Sequence, residues 1–187
     1  TSVVVLSFPW LFEELEGISV RSDFDLNLHG DVSGERLDYF VPQTNESYVP
    51  FVIEPAAGAT RTMAAFLLAA YDEDEVNGEA RTVLRLHPRL APYKVAVLPL
   101  SKKDTLTPLA HDVRKLLADR YMVDYDETQN IGKRYRRQDE IGTPLAVTVD
   151  FESLEDDAVT VRDRDTTEQV RVPIDQLLAT IGERLGF

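Results

Sequence analysis

Short apolar runs broken by polar, proline and glycine clusters fill the first half of the chain, whereas strand and helix patterns alternate regularly in the second. Val3, Val4, Val5 and Leu6 form a β-branched run that suits a buried strand. ELEGISVRSDFDLNLHG (14–30) reads as a strand that leads into an exposed loop or helix start. Tyr48–Glu54 is a second strand, with Pro50 at an edge or at its start. Pro55–Thr60 is a small-residue turn, and Arg61–Tyr71 is a helix, apolar nearly all round and so expected to be buried. DEDEVNGEAR (72–81) reads as an acidic surface loop. Pro88 and Pro92 punctuate the chain and suggest two domains, 1–88 and 89–187.

Past that boundary, Val95–Leu100 is a buried strand. Leu109, Val113, Leu116 and Leu117 give Thr107–Asp119 the spacing of an amphipathic helix, with Thr107 as N-cap and Pro108 in its first position. Met122–Asp126 is a brief strand. A helix follows, with Ile131, Tyr135 and Gln138 along one side. Leu145–Asp150, Ala158–Arg164 and Gln169–Val172 are strands, the last two joined as a hairpin by the polar turn at Asp165–Glu168. A helix covers Pro173–Leu185. These elements predict an α/β domain with a mixed five-stranded sheet and about three helices, preceded by a smaller α+β segment.

Composition narrows the chemistry. The chain has no cysteine, which removes disulfides and thiolate metal sites and suits a reducing cytoplasm. His29, His87 and His111 are too scattered to form a ligand set, so no metal site is expected. No apolar run approaches the roughly 20 residues of a membrane span. The formal net charge is −13, and it is uneven. Residues 1–91 carry 15 acids and 6 bases, or −9, and residues 92–187 carry 18 and 14, or −4. A nucleic-acid partner is therefore expected at a local basic patch in the second half.

Three stretches carry candidate chemistry. In EPAAGATR (54–61), Gly58 allows close approach of a ligand to the backbone, and a helix N-terminus favours an anion. Arg61 at the head of an apolar helix suits a phosphate, and Glu54 at a strand end suits an ammonium group. The plainer reading is a solvated arginine and a strand-end carboxylate. In FEELEGISVRSDFDL (12–26), Glu14 and Glu16 would share a face of a strand and could position an ammonium, a magnesium ion or a ribose, or simply line a solvated edge. Lys133, Arg134, Arg136 and Arg137 gather around Tyr135, while Arg162 and Arg164 alternate with Asp163 and Asp165. Guanidinium groups beside an aromatic ring suit RNA phosphates and unstacked bases. Internal pairing of these arginines with Asp139, Glu140, Asp163 and Asp165 is the alternative.

ELEGI (14–18), RSDFDL (21–26), VIEPAAGATR (52–61), LAPYKVAVLPLSKKD (90–104), NIGKRYRRQDEIGTPLAVTVDF (130–151) and TVRDRDTTEQVRVPI (160–174) together resemble the C-terminal part of the class II, homodimeric glycyl-tRNA synthetases. EPAAGATR followed by an apolar helix resembles motif 3 of that class, and the segment after about residue 92 resembles the anticodon-binding domain. The resemblance implies an antiparallel-sheet catalytic fragment that uses ATP with magnesium, and tRNA(Gly) and glycine as partners. It places Glu14 and Leu15 beside ATP and the amino group of glycine. It assigns Glu54, Pro55, Ala56, Ala57 and Gly58 to glycine, and Gly58, Ala59, Thr60 and Arg61 to ATP, with Arg61 neutralising phosphate charge. Lys133, Arg134, Arg136, Arg137, Arg162 and Arg164 become candidate tRNA contacts. Ala56 departs from the serine of many members, which puts one polar contact to glycine in question.

No motif 1 or motif 2 is recognisable, and the resemblance implies that both lie upstream of Thr1. The chain is then expected to be inactive alone. For the whole enzyme the resemblance implies attack of the glycine carboxylate on the ATP α-phosphorus, then transfer of glycine to the tRNA ribose. A non-catalytic accessory subunit with the same fold is the rival reading. Retention of Glu14, Glu54, Gly58 and Arg61 speaks against it.

Overall fold

A computed structural model describes residues 1–102 and 104–187. Lys103, within the string LAPYKVAVLPLSKKD, lies outside the described residues. The chain forms two compact units, Thr1–Phe66 and Leu67–Phe187.

The first unit holds an antiparallel sheet of β1 (Ser2–Ser7), β2 (Phe12–Ser22) and β5 (Val52–Ala57), in the order β1-β2-β5. Between β2 and β5 lie α1 (Phe24–Ser33) and a small hairpin of β3 (Tyr39–Val41) and β4 (Glu46–Tyr48). The strand expected over Tyr48–Glu54 is thus divided at residues 49–51, around Pro50, since proline supplies no ladder donor. The turn expected over Pro55–Thr60 narrows to Gly58, because β5 runs through Ala57 and α2 (Ala59–Ala70) starts at once.

Two burial expectations fail. Val3, Val4 and Val5 of β1 are exposed, as are Met63, Phe66, Leu67 and Leu68 of α2, where Ala70 is the sole buried residue. An apolar pattern shows that a surface favours being covered; whether it is depends on a second layer. The described residues provide none for these side chains.

The second unit opens, after the end of α2, with a hairpin of β6 (Tyr71–Val76) and β7 (Glu79–Leu84). This corrects the expected acidic loop. Asn77 and Gly78 both have left-handed φ, 56° and 81°, as a two-residue type I′ turn requires. The acidic run conceals the strand because Asp74 stands opposite Arg81 in the ladder instead of facing water.

The five-stranded sheet runs β12-β11-β10-β8-β9, from β8 (Val95–Pro99), β9 (Val123–Tyr125), β10 (Leu145–Val149), β11 (Ala158–Asp163) and β12 (Gln169–Pro173). β8 is parallel to β9 and β10, and the β10–β11–β12 side is antiparallel, so the mixed sheet is as expected. α3 (Thr107–Ala118) and α6 (Leu177–Leu185) bury Val113, Leu117, Leu177 and Ile181 against Val95, Val97, Val147 and Val161 on one face. α4 (Ile131–Ile141) lays Ile131 and Tyr135 on Ala96, Leu98 and Ala146 on the other. Cover on both faces explains why every residue of β8 and β10 is buried and why both read as unbroken apolar runs. A one-turn helix, α5 (Ser153–Asp156), and a 3-10 turn at Ile174–Gln176 before α6 were not anticipated. α3 is capped by Leu106, and Thr107 is its first helical residue instead of its cap. Leu106 is fully buried, so packing holds that helix start.

α4 is closed at both ends by its own sequence. The Asn130 side chain accepts from the Lys133 amide at 2.9 Å, and Gly142 takes the left-handed cap at φ 87°. A methyl at Gly142 would lie 3.0 Å from the Leu84 carbonyl oxygen and 3.1 Å from Leu86 Cδ1. Gly142→Ala is therefore expected to destabilise the second unit by about 1–3 kcal/mol, combining left-handed strain with the crowding. Chemical denaturation tests this, and an unchanged midpoint would refute it.

Candidate functional site

In the first unit the residues expected to meet glycine and ATP converge. β2 and β5 pair Glu16 with Ala57, Gly17 with Ala56, Ile18 with Pro55 and Ser19 with Glu54. β2 carries a bulge on each side. The β1 register passes from Val4–Glu16 to Val5–Glu14, leaving Leu15 as the extra residue. The β5 register passes from Val20–Ile53 to Ser22–Val52, leaving Arg21 extra. Bulges re-aim side chains and break strict alternation, so the simple shared face of Glu14 and Glu16 does not hold. A methyl on Gly17 would lie 3.0 Å from Glu14 Oε1, so the glycine makes room for that carboxylate.

Arg61, in the first turn of α2, donates to the Glu14 carbonyl, and its Nε lies 3.7 Å from Glu13. Ala59, Thr60 and Arg61 follow Gly58 directly, so their amides sit at the positive end of the helix. Glu54 accepts from Arg21 Nε at 2.6 Å, and this hydrogen bond, with the arginine's charge, holds its carboxyl below the usual range. Both members of the expected phosphate and ammonium pair thus have internal partners in this structure. All these positions are solvent-accessible.

In the second unit the basic residues divide sharply. Arg134 is 2% exposed and donates to the carbonyls of Pro99, Gln129 (3.1 Å), Asp126 (3.3 Å) and Leu100 (3.5 Å). Arg137 is bound to Asp126 at 2.9 Å and to Thr128. Arg162 is buried in a two-point pair with Asp139, at 2.8 and 3.1 Å, and its guanidinium lies 4.8 Å from the Tyr135 ring centre. Arg164, also buried, holds Asp165 and the carbonyls of Leu86 and Gly142. For these four, internal pairing describes the geometry. Lys133 is exposed, with no partner seen for its ammonium among the described residues, and Arg136 lies 3.5 Å from Glu79.

A groove of about 770 Å3 runs between the tip of the β6–β7 hairpin, the first turns of α4 and the β11–β12 turn. Lys133 and Arg136 line it beside Tyr135 and Arg162.

Beneath it lies a charge network that sequence reasoning missed. Arg81 of β7 is buried, pairs with Asp74 at 2.7 Å and Asp139 at 3.3 Å, and donates to the Arg164 carbonyl at 2.7 Å. Arg85 adds Asp72 at 2.7 Å, Asp74 at 2.6 Å and Asp165 at 3.1 Å. The hydrogen bond from Arg81 is the main cause that holds the Asp74 carboxyl at about 2. The available signal was the spacing of Asp72 and Asp74 on one side of the asparagine–glycine turn, answered by Arg81 on the other.

A family model of the anticodon-binding domain matches residues 94–184. A glycine–tRNA ligase of Corynebacterium glutamicum is 60% identical over 177 residues, covering 92% of this chain and 38% of the relative. Those of Bacillus cereus and Geobacillus kaustophilus are 54% and 55% identical over the whole chain and 40% of their own length. The chain is thus similar to the glycine–tRNA ligases over about two-fifths of their length, and its residues 94–184 match the anticodon-binding domain model.

Proposed function

We propose that this chain is the part of a glycine–tRNA ligase that completes the glycine and ATP site and reads tRNA(Gly). The whole enzyme activates glycine with ATP to glycyl-adenylate and transfers it to the tRNA. The observation that carries this reading is the convergence of Glu14, Glu54, Gly58 and Arg61 where β2, β5 and the start of α2 meet. In it, the amides after Gly58 and the Arg61 guanidinium face ATP phosphate, fixed in place before charge develops. Arg21 engages Oε2 of Glu54, and the glycine ammonium is accommodated at Oε1. Pro55, Ala56 and Ala57 give a wall of small side chains, so size excludes larger amino acids more sharply than affinity for one methylene could. Magnesium enters with the ATP phosphates. Among the described residues no group of three or more His, Asp or Glu could hold a metal by itself, and no step is assigned to the ion. A homodimeric full-length enzyme in the cytoplasm belongs to the same reading; among the described residues no helix is long and apolar enough to cross a membrane.

For the RNA, the reading keeps two of the six candidates, because Arg134, Arg137, Arg162 and Arg164 are engaged by internal partners. Lys133 and Arg136 line the groove, Lys133 exposed and Arg136 beside the exposed Glu79, while Tyr135 offers a flat ring. Lys133→Ala and Arg136→Ala are each expected to weaken tRNA(Gly) binding several-fold and to lower the slope of log affinity against log salt by about one. Arg137→Ala, which removes an internal pair with Asp126, should leave the slope unchanged. Titration of labelled tRNA(Gly) between low and moderate salt measures both quantities. Unchanged binding in the Lys133 and Arg136 variants would remove the groove as the RNA site.

A further inference from the structure

We infer that Glu79 is a specificity-determining residue of this groove, a fixed counter-charge that makes RNA binding at Arg136 conditional on what the RNA offers in return. The inference rests on the reading of the groove as the tRNA contact.

Glu79 is the first residue of β7 and pairs across the ladder with Val76. Its side chain is 82% exposed, yet its carboxylate lies 3.5 Å from the Arg136 guanidinium, which is 28% exposed. An exposed contact of this kind is usually mobile and contributes little. This one has a fixed base. Two residues further along β7, Arg81 is buried and anchored to Asp74, Asp139 and the Arg164 carbonyl. The two-residue turn at Asn77 and Gly78 holds the other side. The backbone that carries Glu79 is therefore pinned to α4 and to the end of β11, which keeps the carboxylate within reach of Arg136.

A carboxylate on the wall of a site for a polyanion opposes binding. A phosphate that approaches Arg136 must either displace Glu79 or lie next to it, and both lower the benefit of the arginine. That penalty applies to every polyanion alike. It is offset where the RNA also presents a donor to the carboxylate, such as the exocyclic amine of an unstacked base. Glu79 thus weakens generic RNA more than an RNA whose loop fills the groove, which is specificity by an unfavourable contact with the wrong ligand.

The test is Glu79→Gln, which removes the charge on an exposed side chain and keeps its size. Binding of the 187-residue chain to tRNA(Gly) and to an unrelated single-stranded RNA of equal length is measured by titration. The unrelated RNA should bind about two- to fivefold more tightly, the scale of one exposed ion pair, and tRNA(Gly) should gain less than twofold. The gain on unrelated RNA should vanish in an Arg136→Ala background, because it acts through that arginine. An equal gain on both RNAs, or a gain that persists without Arg136, would show a general charge effect and overturn the inference. If Glu79→Gln is silent while Arg136→Ala still weakens binding, the inference alone fails. If both are silent, the groove is not the RNA site, and the reading it rests on fails with it.

Discussion

Asp139→Ala is expected to destabilise the second unit by about 3–5 kcal/mol, the scale for stranding a buried charge. Asp139 is 1% exposed and accepts from Arg162 twice and from Arg81 once. Arg81 would keep Asp74 and a carbonyl, but Arg162 would keep mainly the face of Tyr135. A ring quadrupole does not replace a two-point carboxylate pair for a buried guanidinium. Asp139→Ala combined with Arg162→Met should be less destabilised than Asp139→Ala alone, since the stranded charge is then absent. The single tryptophan, Trp10, lies in the first unit, so far-UV circular dichroism is the suitable readout for denaturation. A loss below about 1 kcal/mol for Asp139→Ala would mean that water or local rearrangement solvates Arg162.

Arg134→Met should cost the same unit about 2–4 kcal/mol while leaving the salt dependence of tRNA binding unchanged. Among the described residues the guanidinium binds backbone carbonyls alone, those of Pro99 and Leu100 at the end of β8 and of Asp126 and Gln129 before α4. Burial is the main influence on it and pushes its pKa down. Methionine matches the aliphatic stem and lacks the donors, so several carbonyls lose their partner together. Hydrogen exchange should show loss of protection concentrated around 98–100 and 126–130. A variant of normal stability with a reduced salt slope would return Arg134 to the RNA-contacting set.

These two outcomes concern residues that the sequence presents as part of one basic cluster. NIGKRYRRQDEIGTP (130–144) predicts its helix well: Asn130 caps it, Gly142 ends it, and Ile131 and Tyr135 mark the side that packs. The string does not say where Arg134, Arg136 and Arg137 point relative to partners 5 to 57 residues away. Likewise Asp72, Glu73, Asp74 and Glu75 look like one solvated run. In the hairpin Asp72 and Asp74 receive arginines. The asparagine–glycine pair at 77–78 is the signal for a hairpin turn in that stretch, and the acidity around it masks the two strands.

The sequence by itself determined the order of the five sheet strands and the three main helices from Val95 onward, the small-residue corner at 54–61 and the likeness to glycyl-tRNA synthetases, because these depend on periodicity, turn chemistry and contiguous strings. The tertiary structure alone decided that Arg81, Arg134, Arg162 and Arg164 are interior, that β1 and most of α2 lie open, and that Lys133 and Arg136 remain to face the groove. Burial of a charge depends on a partner brought from elsewhere in the chain, and burial of an apolar strand depends on a second layer. Neither is a property of the local residues, so the pattern along the chain does not contain it.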